Sequence, residues 1–315
     1  MWLPFHQYDK SDNEIARDKP FEFSEQELLW ASLTVGAPSL SVAFKNIRDS
    51  PAFALHKWFA IRSVVEIKDQ ELRLVPSYKN LDQSEKVVLS YWAGMIFAKL
   101  VAEKVLDVPW MGHARLLQKK KLLTVIPRTT KSLPDLVGLD RSKNWHVLEA
   151  KGLQRKPTSD QKIHFKQQAE RVGTIYGKKP ATRNYCITRI RKRLCIELHD
   201  PDKVVKDSVA FSITPHDIQR YYYEPFVAFF GENDENVDAR DDDIIYRKIV
   251  CDTIDKRKCS IGIVRETLEQ AQMQVKSESL VKGFDREELN RLNNDRKHPD
   301  TYIGSDGIAV KLVPL

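Results

Sequence analysis

The chain has only four cysteines and twelve glycines in 315 residues, and no low-complexity tract or internal repeat. So few cysteines exclude a disulfide framework. Cys186/Cys195 and Cys251/Cys259 are spaced too widely for the Cys-x-x-Cys arms of a structural zinc site. Reduced cysteines imply a cytoplasmic setting. No stretch reaches the ~18 apolar residues of a membrane helix. The longest candidate, Val87 to Val101, is interrupted by Lys99 and reads as a buried helix, so no membrane association is expected. The start, Met1 to Gln7, lacks a basic segment followed by a long apolar run, and a secretory leader is not expected either. The sequence also has no phosphate-cradling Gly-rich loop, no serine-centred elbow and no His-Glu-x-x-His zinc pair. Any nucleotide-driven motor would have to be another chain.

What is present is a composition ordinary for a folded protein, 42% hydrophobic and 30% charged, with charge unevenly distributed. Between Met111 and Cys195, 21 Lys and Arg stand against 5 Asp and Glu, so the formal net charge of +7 conceals a basic block inside an otherwise acidic chain. A polyphosphate backbone is drawn to such a block through counterion release. A solvated lysine-rich face has the same composition, so charge alone does not name the partner.

Residues 1–80 read as a mixed α+β region. It holds a capping box, Ser24-Glu25-Gln26-Glu27, a helix after Ser50-Pro51, and a short alternating strand at Glu71 to Val75. Residues 81–200 read as an α/β core. Asp82-Gln83-Ser84-Glu85 opens the longest apolar helix, to about Leu106, and a basic, less regular stretch follows. Strands are expected at Leu122–Ile126, Asp135–Leu139 and Trp145–Lys151, then a helix from about Ser159 to Tyr176, then strands at Asn184–Ile190 and Leu194–His199. That order describes a central mixed sheet flanked by helices. Residues 201–315 read as a second α+β region: an aromatic helix near Asp217–Phe230, an acidic run from Glu232 to Asp243, further strands near Ile244–Val250 and Ser260–Val264, helices from Thr267 to about Arg296, and a closing hairpin on Gly304 to Gly307.

The chemistry is concentrated at one hairpin. If Asp140 to Asn144 is its turn, Leu139 faces Trp145, and counting outward places Asp135 opposite Glu149, with Cβ atoms ~5 Å apart. Side chains alternate along a strand, so Lys151 shares the face of Glu149 while Leu148 and Ala150 point the other way. Two carboxylates directly opposed repel, and a protein that keeps them needs a proton, a cationic side chain or a metal between them. Hard oxygen ligands with room for water and phosphate suit Mg²⁺ or Mn²⁺. A salt bridge to Lys151 without catalysis would leave the same pattern.

Pro134-Asp135, followed after thirteen residues by Glu149-Ala150-Lys151 in the apolar run Val147 to Gly152, resembles the PD-(D/E)XK nuclease superfamily, which includes restriction endonucleases, repair nucleases and phage-defence nucleases. The resemblance covers about residues 85–200. Two further Pro-Asp pairs, at Pro201 and Pro299, have no such strand after them and read as turns. The resemblance implies a restriction-endonuclease-like core in which Asp135 and Glu149 bind Mg²⁺ (or Mn²⁺), helped by the backbone carbonyl of Ala150, while Lys151 positions or activates water. It places a glutamine from the following helix at the site, and Gln168 is favoured over Gln167, with Lys166 as a weaker phosphate contact. It also implies a role in restriction or antiviral defence, with DNA as substrate ahead of RNA, as a homodimer or as a partner subunit of a defence complex. One departure stands out. Many members carry a metal-facing glutamate in the preceding helix, where this chain has Met95 in Gly94 to Ala98. Glu85 and Glu103 lie on the same helix about a turn or more away; either could substitute, but each reads first as a surface charge.

Lys119, Lys120, Lys121, Arg155 and Lys156, with Arg191 to Arg193, fall in loops near the core and are candidate backbone contacts. His113 follows the long helix and could reach the site; His146 is out of phase with Glu149 and should face away. Tyr221 to Tyr223 read as aromatics packed inward rather than as a stacking platform. A non-catalytic nucleic-acid-binding or assembly subunit that retains the fold is the alternative to an enzyme.

Overall fold

The computed structural model describes residues 1–11, 13–35, 51–127, 133–191, 193–200, 207–230, 239–241, 243–249, 257–274, 277–294 and 300–314. Most of the acidic run from Glu232, the pair Pro201-Asp202, Pro299, Lys192 and Cys251 lie outside them. The three described cysteines, Cys186, Cys195 and Cys259, are buried, and none is bonded to another of them. No helix among the described residues is long and apolar enough to cross a membrane.

In chain order the elements are β1 (Trp2–Tyr8), β2 (Glu14–Glu22), α1 (Glu25–Thr34), α2 (Pro51–Arg62), β3 (Val65–Lys68), β4 (Glu71–Leu74), α3 (Gln83–Lys104), β5 (Trp110–His113), α4 (Ala114–Lys119), β6 (Thr124–Ile126), β7 (Leu136–Leu139), β8 (Trp145–Leu153) and α5 (Ser159–Glu170). They continue with β9 (Val172–Ile175), β10 (Thr182–Arg189), β11 (Cys195–His199), β12 (Val209–Ser212), α6 (Pro215–Phe230), β13 (Ala239–Asp241), β14 (Ile244–Ile249), β15 (Arg257–Val264), α7 (Arg265–Met273), α8 (Arg286–Asn294), β16 (Thr301–Ile303) and β17 (Ile308–Pro314). Helix starts follow sequence chemistry. Ser24 with Glu27, Asp82 with Glu85, and Thr158 with Gln161 each close a reciprocal capping box that satisfies two otherwise orphaned backbone N–H groups.

The fold is α/β, with a large mixed sheet flanked by helices. The sheet runs β3-β4-β1-β11-β10-β8-β7-β5, with β2 paired to β1. β8 runs parallel to β10, and β1 parallel to β11, while β7 and β8 form an antiparallel hairpin. Residues 1–80 therefore contribute four strands to the same sheet as the central segment. Two smaller sheets, β6-β12-β9 and β13-β14-β15-β17-β16, complete the architecture.

Two expectations are corrected. The helix from Ser159 stops at Glu170, and Val172–Ile175 is strand β9, paired in parallel with β12. Val172 and Ile175 are buried in that pairing, and the chain turns sharply at Tyr176 (φ 50°) and Gly177 (φ 72°). The basic stretch after α3 contains strand β5, which closes one end of the main sheet against β7.

The far end of α3 carries a third correction. Glu103 is not a surface charge: it is buried, and it accepts hydrogen bonds from Ser305 N (2.8 Å) and Ser305 Oγ (2.7 Å) in the turn between β16 and β17. Beside it, buried Lys99 donates to the carbonyl of Pro109 and lies 4.5 Å over the Trp30 ring. Asp306 accepts from Trp30 Nε1 (3.1 Å) and from the Tyr222 hydroxyl. Burial raises the pKa of both carboxyl groups, Lys99 opposing it in each case, while burial lowers that of Lys99. Tyr221, Tyr222 and Tyr223 are all buried, as an inward-packing aromatic helix requires. Removing one member of such a buried ionic group strands its partners in a medium that solvates them poorly. Lys99→Met is expected to lower the unfolding free energy by about 3–5 kcal/mol at neutral pH. Urea denaturation followed by tryptophan fluorescence measures it.

Candidate active site

The turn that registers the hairpin is built from its own side chain. Asp140 Oδ1 accepts from Asn144 N (2.7 Å), and Lys143, at φ 63°, donates its N–H to the Asp140 carbonyl (3.0 Å). Leu139 then faces Trp145, and Leu136 faces Leu148. One step beyond the last paired residues, Asp135 and Glu149 meet. Asp135 N donates to Glu149 Oε2 (3.0 Å), and Ala150 N donates to Asp135 Oδ2 (3.1 Å). Each carboxylate thus leans on the other strand's backbone, and the two are held side by side. Lys151 Nζ touches Glu149 Oε1 and lies 3.7 Å from Asp135 Oδ2. Asp135, Glu149 and Lys151 come together as the register requires.

Their environments differ. Glu149 is fully buried, while Asp135 and Lys151 are half-buried. Burial, and next the charge of Asp135, push the Glu149 carboxyl up to about 7; Lys151 and the Asp135 amide pull the other way without prevailing. The Lys151 ammonium lies 5.4 Å over the Phe165 ring of α5, which limits its freedom to swing away.

Helix α3 approaches this point unusually closely. A Cβ on Gly94 would lie 2.6 Å from Gly152 N, and one on Gly152 would lie 1.6 Å from the Ser90 carbonyl oxygen. The helix brings no carboxylate to the site. Met95 is buried, Glu85 caps the helix start, and Glu103 is committed to Ser305. Among the described residues no group of three or more His, Cys, Asp and Glu side chains converges at metal-binding distance. A donor set of two carboxylates suits a hard divalent ion that retains several waters, as Mg²⁺ does, better than one that needs a full protein cage.

Two other side chains feel the charge of Asp135. Strand β5 pairs His113 with Leu136, and Ala114 N donates to the Asp135 carbonyl (3.0 Å). The His113 imidazole has its pKa lowered by burial, with the nearby Asp135 charge opposing, and its Nδ1 is shielded with no hydrogen-bond partner. From α3, the Tyr91 phenol has its pKa raised by burial and then by Asp135. The sequence reading singled out His113 but missed Tyr91, whose only signal is an aromatic residue on the helix one turn before Gly94.

The remaining candidates are dispersed. Gln168 is half-buried on α5 with its Oε1 shielded and unbonded, and no hydrogen bond joins it to Asp135, Glu149 or Lys151. Lys166 is half-buried on the same helix. Arg155 and Lys156 are exposed in the segment leaving β8. Lys119 and Lys121 are exposed at the end of α4, whereas Lys120 ion-pairs with Glu224 and lies 5.3 Å over the Tyr221 ring, which holds it against α6. His146 bonds Thr182 Oγ1 (3.0 Å) and Asp140 Oδ2 (3.3 Å), away from the triad. Comparison with family models, curated proteins and solved structures finds no match to this chain.

The raised Glu149 pKa has a signed consequence for stability. The folded chain holds this proton more tightly than the unfolded chain, so the contribution of this group to stability is greatest below the ordinary value of 4.5 and is lost as pH rises through about 7. Glu149→Gln removes that penalty. At pH 8 without divalent ions it is expected to be more stable than the wild type, by up to about 3 kcal/mol of unfolding free energy, with the gap closing near pH 5. Adding Mg²⁺ or Mn²⁺ should raise the wild-type melting temperature and leave the variant unmoved; scanning calorimetry at both pH values checks both arms.

Proposed function

We propose that this chain is a metal-dependent nuclease with a restriction-endonuclease-like core, hydrolysing phosphodiester bonds of DNA. The observation that carries this reading is the side-by-side placement of Asp135 and Glu149 with Lys151 against both, inside the one strongly basic block of the sequence. Asp135 and Glu149 would hold Mg²⁺ or Mn²⁺, which when bound supplies a Lewis acid for the phosphoryl oxygen. Lys151 Nζ orients the attacking water beside the carboxylates and offsets the negative charge that grows on the phosphate. Phe165 and the Gly94–Gly152 contact hold the strand end in place while this happens. Restriction or antiviral defence, as a homodimer or within a complex, is the biological setting consistent with the Pro134-Asp135…Glu149-Ala150-Lys151 resemblance.

The second reading, a nucleic-acid-binding or assembly subunit that does not cut, is favoured by one observation: α3 presents no acid to the site. Incubation with supercoiled plasmid, linear DNA and RNA separates the two. With Mg²⁺ or Mn²⁺ the wild type is expected to cut, EDTA to abolish cutting, and Asp135→Ala or Lys151→Ala each to slow it on the order of 100-fold or more. A wild type that binds DNA yet leaves every substrate intact would favour the second reading, and variants that cut as fast as wild type would remove the triad from the chemistry.

A further inference from the structure

The outer face of α3 beside the candidate site is apolar where a helix surface is ordinarily polar. Val87 is 54% exposed, Val88 51% and Tyr91 46%. Spacings of three and four residues put Tyr91 on one helical face with both valines. The contact of Ser90 and Gly94 with the Lys151–Gly152 backbone fixes this stretch of α3, Tyr91 included, against the strand that carries the triad. Trp92, next along the helix, packs its ring 5.2 Å from that of Tyr91 and itself rests on His56. Just past Gly152 the chain carries the exposed cations Arg155 and Lys156.

We infer, resting on the nuclease reading, that this face of α3 receives an unpaired nucleotide next to the scissile phosphate, with Tyr91 stacking on the base. The chemistry selects against a continuous duplex. Base faces reach an aromatic ring only when they are unstacked, whereas a paired duplex presents phosphates and base edges. Against those, Val87, Val88 and Tyr91 would lose water and gain little. The flanking Arg155, Lys156 and Lys151 supply the charge that tracks a phosphate backbone whichever way the bases lie. The preferred substrate class is therefore a single strand, or a junction with unpaired residues at the cut.

Fluorescence anisotropy of the full chain in EDTA, at about 100 mM salt, tests this with three labelled probes: a 20-nucleotide oligo-dT, the matching oligo-U, and a 20-base-pair duplex. The unpaired probes are expected to bind about tenfold more tightly than the duplex. Tyr91→Ala should remove about tenfold from them, the ratio supplied by one base–aromatic stack, while changing duplex binding less than about twofold. Tyr91→Phe should retain the preference, and oligo-dT against oligo-U reports the sugar. The paired change Val87→Ser with Val88→Ser, on the same face, makes the same test if Tyr91→Ala melts early. Preference for duplex, or equal losses on all probes, overturns the inference while leaving plasmid cleavage, and so the nuclease reading, intact. Failure to bind any probe also overturns the inference, and plasmid cleavage in Mg²⁺ decides the nuclease reading separately.

Discussion

Everything at the site depends on how closely α3 lies against β8. Packed helices and sheets are ordinarily held apart by their side chains. At Gly94 and Gly152 there are none, and the helix meets the strand backbone to backbone. The contact falls at the strand end, immediately after Lys151, and it decides what each face of β8 can do. The face of Leu148 and Ala150 is sealed against α3, and the face of Glu149 and Lys151 is left to α5 and Phe165. Tyr91, just outside the contact, is held by the same geometry where the charge of Asp135 reaches it. A methyl group at Gly152 would lift the helix and disturb all of these at once.

The other end of α3 ties in the rest of the chain. Lys99, Glu103 and Asp306 are buried within one another's electrostatic reach, and they hydrogen-bond to the Pro109 carbonyl, to Trp30 from α1, to Tyr222 from α6 and to Ser305 from the last hairpin. Such groups add little net stability compared with apolar packing, but they tolerate few alternative arrangements. Segments that look like separate flanks in the sequence thus share one centre. A single apolar cluster, from Leu3 to Leu312, surrounds it.

The hairpin was legible in the sequence because its determinants are local. Asp140 and Asn144 make the turn, alternation sets the faces, and counting outward brings Asp135 to Glu149 without knowledge of anything else in the fold. Helix starts were legible for the same reason, since a capping box is complete within four residues. What could not be read has a distant partner. Val172–Ile175 directly follows a helix with no proline or glycine between, and it is a strand through its pairing with β12, at Val209–Ser212. Strand β1 finds β11 at Cys195–His199, so the first residues of the chain give no hint that they enter the main sheet. Glu103 resembles any charged residue near a helix end until Ser305 is brought to it. Tyr91 is the same kind of case: exposure and proximity to Asp135 are properties of packing, not of spacing.

The energetics of Glu149 bear on whether the triad serves folding or function. In a salt bridge kept for stability, opposite charges balance. Here two carboxylates share Lys151, one of them fully buried, and the compensation is incomplete: the Glu149 carboxyl rises to about 7 even with the ammonium against it. The strand is apolar on either side of Glu149, at Leu148 and Ala150, and a hydrophobic residue at position 149 would cost the fold less. A buried acid held beside a second acid by reciprocal backbone hydrogen bonds is therefore an expense the fold does not require. It is relieved by added positive charge, and a divalent cation supplies more of it than a proton does. Local arrangements that oppose stability while keeping tight geometry concentrate where ligands bind and reactions occur.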